Sequence, residues 1–126
     1  MKLQSYKELE VWQRSITLVS EVYKVSRALP KSELFGLSCQ IQRSAVSIPS
    51  NIAEGYARKG TQEYIRFLSM AHGSAAELDT QLIIINQEYE SVELAEAQKL
   101  LHEVQRMLYA MMESLQRRRE SLYPIS

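Results

Sequence analysis

The strongest constraint in this 126-residue chain is one run of apolar side chains: Tyr64, Leu68, Ala71, Ala75, Leu78, Leu82, Ile85 and Tyr89. They recur at alternating steps of four and three. Only a helix, with about 3.6 residues per turn, gathers such positions on one face. A strand would need alternation by two, and no segment of the chain shows it convincingly. The next segment repeats the helical pattern with Leu94, Ala97, Leu101, Val104, Leu108, Met111 and Leu115, and Ser91 is its expected N-cap.

The first half of the chain follows the same rule. Leu9, Trp12, Ile16, Val19 and Tyr23 define a face on a first helix, with Ser5 and Glu8 spaced as a capping box. Ala28-Leu29-Pro30 ends it, because a residue before proline is pushed out of the helical region. A second helix carries Leu34, Leu37, Ile41, Ala45, Ile48, Ile52 and Tyr56, with Pro49 inside the pattern. Proline removes a backbone donor and clashes with the preceding turn. The apolar face nevertheless continues in phase across it, so one helix kinked at Pro49 is expected rather than two, with Ser47 and Ser50 near the freed backbone groups. Gly55 and Gly60 bracket the following turn, and Thr61 is the expected N-cap of the third helix. Four helices over about 7–27, 33–57, 62–88 and 92–118, joined by short turns, predict an all-α, antiparallel up-and-down four-helix bundle. Residues 1–126 read as a single domain.

Composition narrows the class. Four glycines, three prolines and 45% hydrophobic residues exclude collagen-like, disordered and disulfide-scaffold chains. A lone Cys39 has no partner for an internal disulfide, and its expected role is that of a small buried hydrophobe. The longest apolar run, Leu82-Ile83-Ile84-Ile85, is far short of a membrane span, and the first residues lack the apolar core of a signal peptide. A cytoplasmic protein with no membrane contact is the expectation.

More apolar surface is present than one bundle needs. The first helix has a second stripe at Val11, Leu18, Val22, Val25 and Leu29. Leu100, Met107 and Met112 extend the fourth, while Phe67, Met70 and Ile84 lie off the main seam of the third. A wide core and a self-association surface both account for this excess. Met107, Met111 and Met112 are expected to fill core space. Ser69, Gly73, Ala76 and Thr80 make a stripe of small residues, and close helix contact is the expected reason for tolerating Gly73.

Beside the apolar row of the second helix runs a polar one, Arg43, Ser47, Asn51 and Glu54; Arg66, Ser74 and Glu77 stand on the third. The stretch Gln40-Ile41-Gln42-Arg43-Ser44-Ala45-Val46-Ser47-Ile48-Pro49-Ser50-Asn51-Ile52-Ala53-Glu54-Gly55 resembles the hallmark of four-helix bundle proteins related to the large-subunit ribosomal RNA intervening-sequence protein. Leu9-Glu10-Val11-Trp12-Gln13, Val22-Tyr23, Arg66-Phe67-Leu68 and Ala71-His72-Gly73-Ser74-Ala75-Ala76-Glu77-Leu78 extend the likeness from about Tyr6 to Leu115. His72 departs from the basic residue common there. The resemblance implies a bacterial protein without enzymatic activity, assembling as a ring-shaped homopentamer. It gives Arg43, Ser47, Pro49, Asn51, Glu54, Gly55, Gly73, Ser74 and Glu77 structural roles. More distantly the chain resembles accessory variability proteins of diversity-generating retroelements, pentamers that bind a reverse transcriptase and nucleic acid. Their strongly basic surfaces are not matched here.

Catalytic and metal motifs do not assemble. Ser69 and Lys99 stand three residues before His72 and His102, so the Glu-x-x-His pairs of di-iron bundles are missing. Two histidines and one cysteine make no closed zinc site at standard spacing. Gly55 and Gly60 have phosphate-loop spacing, yet Thr61 stands where lysine is required. No enzyme activity, cofactor or small-molecule substrate is expected.

Fifteen basic and fifteen acidic residues leave a net charge of zero, which argues against a globally cationic RNA binder. The balance hides an asymmetry. Residues 1–60 hold nine Lys or Arg against five Glu, and residues 61–126 hold six against ten acids. Two basic clusters stand out, Arg58-Lys59 and Arg117-Arg118-Arg119. Both phosphate contact and neutralisation of a helix C-terminus account for the arginine triplet. Tyr6 and Tyr123 are the aromatic residues expected to be free for base stacking, with Trp12 in the core. The resulting expectation is an oligomeric scaffold binding RNA or a nucleic-acid-handling protein such as a reverse transcriptase. The alternative is a protein-interaction module without nucleic-acid contact.

Overall fold

The computed structural model describes residues 5–122, and those residues form four long helices with no strand among them. They are α1 (Glu10–Ala28), α2 (Leu37–Ala57), α3 (Thr61–Glu88) and α4 (Ala95–Leu122). Each helix packs on two others: α2 lies between α1 and α3, and α4 closes the square against α3 and α1. Cross-helix contacts give the direction. Ser44 meets Glu77, Ser47 meets Ser74 and Gly55 meets Phe67, so rising numbers on α2 pair with falling numbers on α3. His102 beside Asp79 and Arg119 beside Gln62 show the same antiparallel relation between α4 and α3.

The core is where the α3 and α4 patterns place it. Leu68, Ala71, Ala75, Leu78, Leu82 and Ile85 are buried on α3; Leu101, Val104 and Leu108 face them from α4. Met107, Met111 and Met112 pack partly buried against this core. On α2, Ile41, Ala45, Ile48 and Ile52 are fully buried. Burying each of the three isoleucines contributes about 1.5–3 kcal/mol.

On α1 the expected face is wrong. The buried row is Val11, Ser15, Leu18, Val22, Val25 and Leu29, whereas Ile16 and Tyr23 are exposed and Leu9, Trp12 and Val19 only partly covered. The reason is Ser15. Counted as a core position it completes steps of four and three, and its hydroxyl is satisfied by donating to Trp12 O at 2.7 Å. A serine bonded to its own helix backbone can be buried at small cost.

Helix ends also differ from expectation. Ser5 caps a 3-10 turn over Tyr6–Glu8, accepting from Lys7 N at 3.1 Å, and Leu9 rather than Ser5 is the N-cap of α1. A second 3-10 turn, Lys31–Glu33, follows Pro30, so α2 begins at Leu37 and Leu34 lies outside it, 58% exposed. Gly60, not Thr61, is the N-cap of α3; its φ of 96° is one that a side chain disfavours. Ser91 lies in a turn ahead of α4, whose first carbonyl acceptor is Leu94 O, 2.9 Å from Gln98 N. Through Pro49 the helix α2 runs unbroken, with Ser50 donating to Val46 O and Asn51 to Ser47 O. Cys39 is half-buried.

Close helix contact falls on a different glycine from the one expected. At Gly55 an added Cβ would stand 2.7 Å from Phe67 Cβ and 3.2 Å from Tyr64. At Gly73 it would meet nothing within 4 Å, and Ser69, Gly73, Ala76 and Thr80 are all exposed. The tightest crossing is therefore near the α2–α3 turn. The opposite end of these helices is tied by Glu33, whose carboxylate accepts from Leu37 N at 3.2 Å and from Tyr89 Oη at 2.5 Å.

Two predictions follow from these contacts. Gly73→Ala is expected to stabilise the fold by about 0.5–1 kcal/mol, since alanine is the better helix former. Gly55→Ala is expected to destabilise it by about 1–3 kcal/mol through overpacking; denaturant titration of both variants measures the contrast. The Tyr89 hydrogen bond, then the Leu37 N–H, hold the Glu33 carboxyl below its ordinary value of 4.5. A depressed carboxyl stabilises the fold above about pH 4.5 and loses that contribution as pH falls through its folded value. Wild type should therefore lose stability more steeply below pH 4.5 than Tyr89→Phe, as read by thermal melts across that range.

Candidate functional site

The antiparallel arrangement brings the two basic clusters to one end of the bundle. Arg58 and Lys59 form the α2–α3 turn, while Arg117, Arg118 and Arg119 lie on the last turns of α4. Arg119 Nη2 donates to Gln62 Oε1 at 3.4 Å, linking α4 to the start of α3 across 57 positions of sequence. Arg66, outside the expected clusters, belongs to the same surface. Its guanidinium lies 4.7 Å from the centre of the Phe67 ring, and that of Arg58 lies 4.9 Å from the same ring. Buried Phe67 thus holds two cations in place by its negative π-face.

Local acids moderate this surface. Arg58 pairs with Glu54 at 2.8 Å, Arg66 with Glu63 at 3.1 Å and Arg117 with Glu113 at 3.6 Å. All three are exposed pairs within one helix turn, worth a few tenths of a kcal/mol and screened by salt. Lys59 and Arg118 make no hydrogen bond or ion pair with described residues. At the opposite end, Glu88, Glu90, Glu93 and Glu96 cluster around the α3–α4 connection, with Lys24 of α1 beside Glu93 and Glu96. Tyr6, expected to be free for stacking, instead packs edge-on against Trp12 with ring centres 5.4 Å apart. Tyr123 lies outside the described residues. Nearer the turn, burial and the neighbouring Tyr56 push the Tyr64 phenol up to about 12.

A second polar region runs along α2 and α3. Ser47 Oγ and Ser74 Oγ share a hydrogen bond of 2.8 Å, and Asn51 Nδ2 donates to Ser47 Oγ at 3.0 Å. Ser44 Oγ lies 2.8 Å from Glu77 Oε1 and 3.0 Å from Gln81 Oε1. Apart from the Asn51–Ser47 bond, which lies within α2, these bonds join facing helices rather than solvating one face. Of the motif residues, Ser47, Ser74 and Glu77 therefore take part in the α2–α3 contacts, Asn51 braces Ser47 from the same helix, Gly55 permits the crossing and Pro49 is buried beside them. Glu54 serves Arg58 on the surface, Gly73 is exposed, and Arg43 makes no hydrogen bond or ion pair with described residues.

A family model for the 23S rRNA-intervening sequence protein matches residues 7–110. The chain belongs to that family. No curated protein matches it. The match spans α1, α2, α3 and the first part of α4, so in this family member the α2–α3 polar contacts lie inside the matched region and Arg117–Arg119 lie beyond it. Among the described residues no group of three or more His, Cys, Asp or Glu side chains is placed to hold a metal ion. No described helix is long and apolar enough to cross a membrane.

Gln40 and Gln81 were not singled out by sequence, nor was Phe35, which is 92% exposed in the turn before α2. Gln81 had one available signal: it stands four residues after Glu77 and so shares its face. Ser44→Ala is expected to destabilise the fold by about 1–3 kcal/mol, because it leaves the buried Gln81 amide without a partner. Denaturant titration beside an exposed control, Ser50→Ala, checks it.

Proposed function

We infer that this protein is a non-enzymatic cytoplasmic scaffold that assembles as a homo-oligomeric ring, a pentamer, and uses its basic end to contact RNA. The observation that carries the RNA part is the meeting of Arg58 and Lys59 with Arg117, Arg118 and Arg119 at one end of the bundle, with Arg66 beside them. The family's name, which refers to a ribosomal RNA intervening sequence, supports the same partner class. A ring would repeat this patch on every subunit, raising a weak single-site affinity through multivalency. A bend of α2 at Pro49 belongs to the same reading. Exposed apolar side chains support self-association: Ile16, Met70, Ile83, Ile84 and Tyr109 are each 40–59% exposed.

A second reading rests on Phe35, 92% exposed beside Leu34. An aromatic residue so placed is a natural anchor for a protein partner. In that version the scaffold binds a nucleic-acid-handling protein such as a reverse transcriptase, or another protein, without touching RNA itself.

Light scattering should return five times the 14.5 kDa chain mass at micromolar concentration, and a monomer would sink the ring. Structured RNA should be retained at low salt and released steeply as salt rises. Replacing Arg117, Arg118 and Arg119 by alanine should weaken retention and flatten its salt dependence. If RNA is not retained even at low salt, the protein-binding version stands in its place.

A further inference from the structure

Between α2 and α3 lies an open cleft of about 380 Å³, lined by Gln40, Arg43, Ser44, Ser47, Glu77 and Gln81. Its floor is polar yet buried: Ser44 is 3% exposed and Gln81 8%. The Ser44 hydroxyl lies 2.8 Å from Glu77 Oε1 and 3.0 Å from the Gln81 amide. One hydroxyl has one proton, so it donates to one of them; turning the amide lets Gln81 donate to Ser44 in return. In either orientation one end of the Gln81 amide is held by Ser44, and the other has no described partner.

The rim carries opposite charges that do not meet. Among the described residues, Arg43 has no hydrogen-bond or ion-pair partner and Glu77 has no cation within salt-bridge distance, although both line the same cleft. Elsewhere on the surface several neighbouring opposite charges pair, as in Arg58–Glu54 and Arg14–Glu103. An arginine and a glutamate that line one cleft without pairing are complementary to a molecule that carries both charges.

We propose that this cleft binds a small zwitterion with the chemistry of a free α-amino acid. Its carboxylate sits on the Arg43 guanidinium, a donor fork suited to carboxylates. Its ammonium sits on the Glu77 carboxylate, and the free end of the Gln81 amide meets either group, donating to oxygen or accepting from nitrogen. No aromatic ring lines the cleft, so a nucleobase would lack a stacking surface. A simple anion would face Glu77, and a simple cation would face Arg43.

The test titrates glycine, L-serine and L-glutamine into the intact protein by calorimetry and ligand-observed NMR. Inorganic phosphate, guanosine, glycine ethyl ester and N-acetylglycine are the comparators. Saturable binding of at least one amino acid in the millimolar range or tighter is expected. The ester and the N-acetyl compound, each lacking one charge, should bind about tenfold or more weaker. Arg43→Gln and Glu77→Gln should each weaken binding by a similar factor, with circular dichroism confirming the fold, while Arg118→Gln leaves it unchanged. Absence of saturation for all three amino acids overturns the proposal. So does phosphate or guanosine binding as tightly as the amino acids, or indifference of affinity to Glu77→Gln. None of these outcomes bears on RNA retention or subunit number, so the cleft and the scaffold reading fail or survive separately.

Discussion

The contact line between α2 and α3 is the constraint on which the rest of the bundle depends. At one end Gly55 lets the backbone of α2 approach Phe67 so closely that no Cβ fits between them. Moving away from that crossing, serine and glutamine contacts join the apolar ones, from Ser47–Ser74 to Ser44–Glu77 and Ser44–Gln81. Apolar side chains alone tolerate small rotations and slips, because dispersion is not directional. Hydrogen bonds between specific partners do not, and a slip of one residue would separate them all. The α2–α3 hairpin thus acquires a fixed register, and the beginning of α1 and the end of α4 are positioned against it.

The apolar rows of α2, α3 and α4 were largely legible in sequence, and the row of α1 that holds a serine was not. On α3 and α4 the expected rows supply most of the buried positions, although Tyr64, Tyr89, Met111 and Leu115 are only partly covered and Phe67, Gln81 and Leu100 are buried outside those rows. On α1 a single buried serine interrupted the true row and left a neighbouring, fully apolar row looking better. Helix ends failed for a related reason. The caps are backbone and glycine geometries, as at Gly60, or carboxylates from the preceding turn, as at Glu33, rather than the expected Ser and Thr side chains. Gly55 and Gly73 are identical in sequence terms; only the crossing point of the helices tells which one is required.

The same limit applied to the candidate sites. Arg58-Lys59 and Arg117-Arg118-Arg119 were visible as runs of charge, but their meeting at one end is a consequence of antiparallel packing. Arg66 and the buried Phe67 beneath it carried no charge-run signal, because Arg66 stands alone in sequence. Gln40 and Gln81 are neutral and scattered, and they matter only because two helices place them around one cleft.

Zero net charge acquires a definite meaning in the folded molecule. On α4 the charges separate along the helix, with Glu96 in the first turn and Arg119 in the last, while the antiparallel α1 carries Glu10 in its first turn and Arg27 in its last and so offsets part of the difference between the two ends. That placement complements the helix dipole and by itself explains part of the pattern. It also limits what one subunit can do. Arg58, Arg66 and Arg117 each spend much of their field on a glutamate one turn away, which leaves Lys59, Arg118 and Arg119 least compensated, Arg119 meeting only the neutral Gln62 amide. Three such charges, screened over about 8–10 Å in physiological salt, hold a polyanion weakly. Phosphate binding through this end therefore requires several copies presented together, so the RNA reading and the ring reading are physically coupled: without assembly, the basic end reduces to ordinary neutralisation of a helix terminus.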